Sequence, residues 1–233
     1  MLEATLSAGK KSSDPGPTPL LGYDFSRKKS TGLINTTTTA ADADVVAYGD
    51  KAAGYASGLR NNNKLINISP MTSMNLGLDD FTIEFWAWLS PGPVGYTTFF
   101  QVTYDGGKTF PIRIGDDGFV NRLQFAFFAA VLGYNKSSGI NRNAMQSAWH
   151  HVALVRDSGR ARFYYDGVQL NLASGTSQSY TDKDADASIF SLRDVTAFTF
   201  GGGAYEVYLP EFAIWQGVKY KGNFTPKKGS LVL

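Results

Sequence analysis

Residues 149–167 read WHHVALVRDSGRARFYYDG, and this stretch decides the fold. Two runs of β-branched and aromatic residues flank Asp157-Ser158-Gly159, a polar, glycine-bearing break of the kind that closes a hairpin. Alternation sends His150, Val152, Leu154 and Arg156 to one face of the first strand and Trp149, His151, Ala153 and Val155 to the other. In the return strand, Phe163 and Tyr165 oppose Arg162 and Tyr164. Neither strand is cleanly polar on one side, so the hairpin is expected mid-sheet with both faces partly covered. Asp166-Gly167 then supplies a turn whose positive-φ position glycine tolerates.

Outward from this hairpin the chain continues in short strands. Phe81–Leu89 alternates, with the uniformly apolar Phe81, Ile83, Phe85 and Ala87 expected in the core and Thr82, Glu84, Trp86 and Trp88 on the other face. Residues 98–104, 108–114 and 122–130 read as strands separated by Asp105-Gly106-Gly107 and Asp116-Asp117-Gly118. Upstream, residues 20–25 are the first strand candidate, and residues 36–39 with the following Ala-Asp-Ala-Asp read as a solvated loop or edge. Two short strands, 54–59 and 64–68, are divided by Asn61-Asn62-Asn63, and residues 71–78 are expected to form one short helical turn. Downstream come a polar stretch over 174–187, a strand at 197–200, a glycine turn at 201–203 and a last long strand over 204–215. No segment has the length and 3.6 period of a long helix, and turn signals recur every 8–12 residues or so. The expectation is an all-β, antiparallel jelly-roll sandwich over residues 20–233.

Composition agrees. Aromatic residues make up 14% of 233 residues and glycines number 25, which suits short strands joined by tight turns and a sizeable core. Cysteine is absent, which removes disulfides, thiolate nucleophiles and zinc-thiolate sites. A net charge of +2 with scattered lysine and arginine leaves no electrostatic footprint for nucleic acid or a membrane surface. No apolar run approaches the ~20 residues of a membrane helix, and no secretory signal is read at the N-terminus. Residues 1–19 are small, polar and rich in Pro and Gly, too poor in apolar side chains to fold alone, and read as an extended arm or linker.

The pattern Trp149-His150-His151-Val152-Ala153, an arginine, a short turn and Phe163-Tyr164-Tyr165-Asp166-Gly167 resembles the laminin-G-like branch of the concanavalin A-like lectin/glucanase superfamily. Asp80-Phe81-Thr82-Ile83-Glu84-Phe85-Trp86 is similar to a strand of that branch. Gly217-Val218-Lys219-Tyr220 and Asn223-Phe224-Thr225-Pro226 are similar to the tail of its bacteriophage versions. The resemblance implies a concanavalin A-like sandwich, and it leaves activity open among lectins, glycosidases and structural virion modules.

Glycosidase chemistry needs two carboxylates about 5–10 Å apart. The related glucanases carry E-x-D-x-x-E on one strand, which this sequence lacks. Its four glutamates are Glu3, Glu84, Glu206 and Glu211, and Pro210 stands where the family often has an acid beside Glu211. No catalytic residue is assigned and no enzyme is expected. The two histidines, His150 and His151, diverge as strand neighbours and cannot share an ion. Asp182, Asp184 and Asp186 have calcium-like spacing but lack the glycine and distal glutamate of an EF-hand loop. They read first as a solvated acidic loop, with calcium the one cofactor left open. A sugar-binding surface would use Glu84, Trp86 and Trp88 with Tyr164 across the sheet; the other reading packs these aromatics under a covering loop or second sheet.

Two functional classes follow. The first is a non-enzymatic bacteriophage virion surface protein, a capsid decoration protein tethered to other virion proteins through its arm. Lys10, Lys11, Pro15, Pro17 and Pro19 would make the contacts, and homo-oligomer formation would supply avidity. The second is a carbohydrate-binding module of a tail appendage that reads host surface glycans. Either places the chain on the virion surface after synthesis in the host cytoplasm, with no nucleic acid or membrane partner.

Overall fold

The computed structural model describes residues 20–24, 29–31, 36–38, 45–47, 57–61, 66–70, 74–91, 97–116, 121–129, 132–174, 179–188, 192–201 and 206–227. The arm expected over residues 1–19, with Lys10, Lys11, Pro15, Pro17 and Pro19, lies outside them.

In chain order the strands are β1 (Leu21–Asp24), β2 (Lys29–Thr31), β3 (Thr36–Thr38), β4 (Val45–Ala47), β5 (Ser57–Asn61), β6 (Ile66–Pro70), β7 (Phe81–Leu89), β8 (Thr97–Tyr104), β9 (Lys108–Asp116) and β10 (Asn121–Ala129). They continue as β11 (Leu132–Asn141), β12 (Trp149–Asp157), β13 (Arg160–Tyr165), β14 (Val168–Gln169), β15 (Leu172–Ser174), β16 (Ala185–Asp186), β17 (Ala197–Phe200), β18 (Val207–Leu209) and β19 (Glu211–Gln216). A 3-10 turn, Arg142–Met145, is capped by the Asn141 side chain, which accepts from the Ala144 N–H at 3.1 Å.

All these pairings are antiparallel and build two sheets. The larger runs β14-β13-β12-β7-β18-β5-β4, with β19 also on β7 and β1 on β19; the smaller runs β15-β11-β10-β9-β8-β17-β6-β3. The expected two-sheet sandwich is therefore what the chain adopts. The β12–β13 hairpin lies inside the larger sheet and is buried on both faces over most of its length. Its turn is Ser158-Gly159 with φ of 51° and 78°, the paired positive φ of a two-residue hairpin turn.

The core follows the alternation. Phe81, Ile83, Phe85, Val152, Leu154, Phe163, Phe212 and Ile214 of the larger sheet face Phe100, Val102, Phe110, Ile112, Leu123, Phe125, Phe198 and Phe200 of the smaller. Ring pairs bridge the two layers: Phe125 meets Phe163 edge-on at 5.0 Å, and Phe200 meets Phe212 at 4.5 Å.

Two expectations need correction. Residues 74–78 form no helical turn. Met74 bridges Val195 and Gly77 bridges Leu192, with Met74 and Leu76 buried, and the chain then reverses in a tight turn in which the Asp79 N–H donates to the Leu76 carbonyl at 2.8 Å and Gly77 takes a φ of 54°. The single last strand also divides. Pro210 has no N–H for a ladder, and β18 and β19 lie end to end along β7, pairing its Trp88–Leu89 end and its Phe81–Phe85 end respectively. Strand β11, polar and glycine-bearing, was not foreseen.

Candidate functional site

The outer face of the larger sheet carries Thr82, Glu84, Trp86 and Trp88 from β7. Register sets Trp149 opposite Trp88, His151 opposite Trp86 and Ala153 opposite Glu84, and on the other side Ala213 opposite Glu84 and Trp215 opposite Thr82. All four tryptophans of the chain, Trp86, Trp88, Trp149 and Trp215, thus share one face. Tyr164 joins them from β13, opposite Ala153.

Glu84 sits in register between two alanines, which leaves room above its carboxylate. The segment after β19 fills that room. Residues 217–227 cross the face as a strap: Gly217 N–H donates to the Asp80 carbonyl at 2.7 Å, Lys219 N–H to Thr82 Oγ1 at 3.0 Å, and Phe224 N–H to the Gly167 carbonyl at 2.9 Å. Trp86 Nε1 donates to the Lys227 carbonyl at 3.2 Å, and the Gln169 N–H donates to Asn223 Oδ1 at 2.9 Å. Gly167 is required twice. Its φ is 77°, and a Cβ there would stand 1.9 Å from the Phe224 carbonyl oxygen.

The strap's side chains close over Glu84. Tyr220 Oη donates to Glu84 Oε2 at 2.7 Å, His151 Nε2 lies 3.1 Å from the same oxygen, and Lys219 Nζ bonds Oε1. The Lys219 ammonium also stands 3.8 Å from the Trp215 ring centroid, a cation–π placement. Tyr220 and Phe224 stack at 3.5 Å, and Phe224 meets His151 edge-on at 5.6 Å. Glu84 and His151 are fully buried. Burial alone would push the Glu84 carboxyl up, but the His151 hydrogen bond and then the Lys219 charge outweigh it and hold it below the usual glutamate range. The Tyr220 hydroxyl is pushed up, first by burial and then by the Glu84 charge.

The structure thus brings the sequence-expected Glu84, Trp86, Trp88 and Tyr164 onto one face but does not leave them as an open groove. Glu84 and Tyr164 are wholly covered and Trp86 is 3% exposed. The reason is the strap, so the expectation of a solvent-accessible platform is corrected for these three. Only Trp88 stays partly open, edge-on to Tyr208 at 5.2 Å and near the Arg60–Glu206 ion pair at 3.4 Å. Lys219 and Tyr220 were legible as a tail motif, not as ligands of Glu84. The available signal was the lone glutamate in FTIEFWAWL, a charge that a buried strand must have neutralised by something.

His150 lies on the opposite face from His151, its Nδ1 2.7 Å from Asp166 Oδ2 and its ring stacked on Tyr165 at 4.7 Å. Of the three calcium-spaced acids, Asp184 accepts from Arg160 Nε at 2.9 Å, Asp186 accepts from the Ser188 N–H at 2.9 Å, and the Asp182 N–H donates to the Leu172 carbonyl at 3.1 Å. Arg160 already places a cation beside Asp184, so these acids do not fit a calcium site in this arrangement. Among the described residues no group of three or more His, Asp or Glu converges as a metal site.

Two antiparallel sheets packed in this order define a β-sandwich module. Residues 60–219 match the family model of the concanavalin A-like lectin/glucanases superfamily, in its laminin G class, and the chain belongs to that family. No curated protein is significantly similar in sequence. Among solved structures, the chain is similar to the binding domain of botulinum neurotoxin serotype G, with a TM-score of 0.59 and 12% identity over 87% of this chain. It spans about half of that protein, 48%. It is also similar to domain 4 of AbnA, an extracellular arabinanase from Geobacillus stearothermophilus, in complex with arabinotriose (TM-score 0.54, 18% identity, 86% of this chain and 93% of that one). A third is Trypanosoma rangeli sialidase (TM-score 0.52, 13% identity, 87% of this chain and 31% of that one). At these identities the likeness establishes the shared fold.

Proposed function

We infer that the chain is a non-enzymatic module of a bacteriophage virion surface, a decoration subunit whose sandwich is the rigid body and whose residues 1–19 are the tether. The observation that carries the non-enzymatic part is the state of Glu84. Its two oxygens are taken up by His151, Tyr220 and Lys219 beneath the strap, so it is not available as a general acid or nucleophile to a polysaccharide. Among the described residues the other two glutamates are also taken up, Glu206 with Arg60 and Glu211 by burial, which supports the same reading. The virion part rests on the similarity of the tail motif to phage modules. The arm would dock on neighbouring subunits by strand addition, with Lys10 and Lys11 adding exposed contacts worth at most about 1 kcal/mol each. Repetition over a symmetric shell or homo-oligomer formation supplies the avidity. Particle occupancy of full-length and residue 20–233 chains tests this: the truncated chain is expected to fold and to lose occupancy, and unchanged occupancy would refute the tether.

A specific observation favours a second reading, a glycan-binding module. Trp88 is partly exposed beside Tyr208 and the Arg60–Glu206 pair. An aromatic face next to charged donors and acceptors suits a sugar ring, whose apolar face stacks while its hydroxyls bond. A glycan array on the intact chain tests it.

A further inference from the structure

The larger sheet is complete without residues 217–227. Strand β7 is paired on one side by β12 and on the other by β18 and β19, and β12 is paired by β13. The strap adds no ladder; it is tied down by the separate hydrogen bonds of Gly217, Lys219, Phe224, Gln169 and Trp86 already described. It begins at Gly217, whose φ is 90° and whose N–H and carbonyl are both held by β7 or its lead-in, the N–H donating to the Asp80 carbonyl at 2.7 Å and the carbonyl accepting from Thr82 Oγ1 at 3.0 Å. That is the fixed end from which the strap would swing. Glu84 and His151, by contrast, both belong to the sheet, so the carboxylate keeps one partner when the strap is away.

The strap's hold on Glu84 depends on charge. An ionised carboxylate accepts from both Tyr220 Oη and Lys219 Nζ. A neutral carboxyl offers the ammonium no counter-charge and directs a proton toward one of the two donors. We propose that residues 217–227 are a reversible latch, closed by ionised Glu84 and opened when that carboxylate loses its charge, which bares Trp86, Tyr164 and Trp215. The groups facing Glu84 are His151 from β12, Lys219 and Tyr220 from the strap and Tyr164 from β13; β19 contributes the uncharged Ala213 and Trp215, and β7 contributes Thr82. Farther along the same face, Asp157 pairs with Arg162 and feels the charge of Lys221. The sign follows from the direction at Glu84. A carboxyl held low in the closed form favours closure above the ordinary glutamate range, about 4.3, and this preference is lost as pH falls through the lower closed-state value.

Segment-resolved amide hydrogen exchange on the full chain tests the latch. The reporters are the Gly217, Lys219, Phe224 and Gln169 amides, compared with those of β7 and β12 after correction for intrinsic rates. At pH 7, Glu84→Gln is expected to speed the reporters about tenfold or more while the β12–β13 hairpin stays protected. Lys219→Met, which alters only the strap, is expected to act in the same direction even if Glu84→Gln disturbs the sheet, and Lys219→Arg is expected to restore protection. In the wild-type chain the same selective loss is expected on acidification toward pH 3 or so. The latch is refuted if the reporters exchange in step with β7 and β12 under every condition, or if Lys219→Met keeps wild-type protection.

Discussion

At the scale of single residues, the chain spends its chemistry on burying one carboxylate. A charge taken out of water costs several kcal/mol unless partners replace its hydration, and removing a partner typically costs about 3–5 kcal/mol. Glu84 has three partners, drawn from a neighbouring strand and the strap, which is why an acid can lie beneath tryptophans. Elsewhere the rules are simpler. Phe163 is fully buried against Phe125, so Phe163→Ala is expected to lower the unfolding free energy in urea by about 3–5 kcal/mol. Gly167→Ala combines a left-handed φ with a collision against the Phe224 carbonyl, and should cost more than about 1 kcal/mol in the same assay. Asp166 gives a pH dependence. Burial opposes its charge, but His150 and the His151 N–H hold its carboxyl below the usual range. Its contribution is therefore present above the ordinary aspartate value, about 3.9, and lost as pH falls further. Thermal melts of Asp166→Asn are expected to show a shallower loss of stability between pH 5 and pH 3 or so than wild type.

At the scale of elements, legibility followed periodicity. FTIEFWAWL and the β12–β13 hairpin were readable because alternation and a two-residue turn are local signals. Strand β11 was not, because LGYNKSSGIN owes its strand to neighbours on both sides rather than to its own residues. Pro210 was visible, yet its effect, one strand becoming two collinear ones, depends on β7 being long enough to seat both. A covering loop over the aromatics was one of the two readings of the sequence, but which residues form it was not legible. Residues 217–227 have no period, and their contacts are isolated backbone and side-chain bonds that no pattern announces. That same strap leaves Trp88 as the accessible aromatic of the face, so a glycan-binding module would depend on it: Trp88→Ala is expected to weaken binding by about 1–3 kcal/mol, by analogy with aromatic stacking on bases. A glycan array unchanged by this substitution would move the site elsewhere.

At the scale of the whole molecule, the sandwich is a scaffold whose central glutamate, Glu84, is committed to structure. Incubation with β-glucans or other polysaccharides is expected to release no reducing sugar, and release that vanishes in Glu84→Gln or Glu211→Gln would overturn the non-enzymatic reading. The family's architecture needs only the alternation, so the fold by itself leaves catalysis open.

The division of the larger sheet at Pro210 has a consequence in time. Beyond Pro210 the sheet forks: β5 and β4 hang from β18, and β1 and β2 hang from β19. Each of those two early pairs is anchored to the rest of the sheet by a strand made much later, β18 or β19. During synthesis, β1 can pair with β2 at once but lacks its second partner until Ile214 has emerged to meet Leu21. Such long-range pairing slows folding, and it leaves β1 and β5 each with an open edge on the ribosome. A nascent chain of this design would fold its larger sheet only once translation has passed β19.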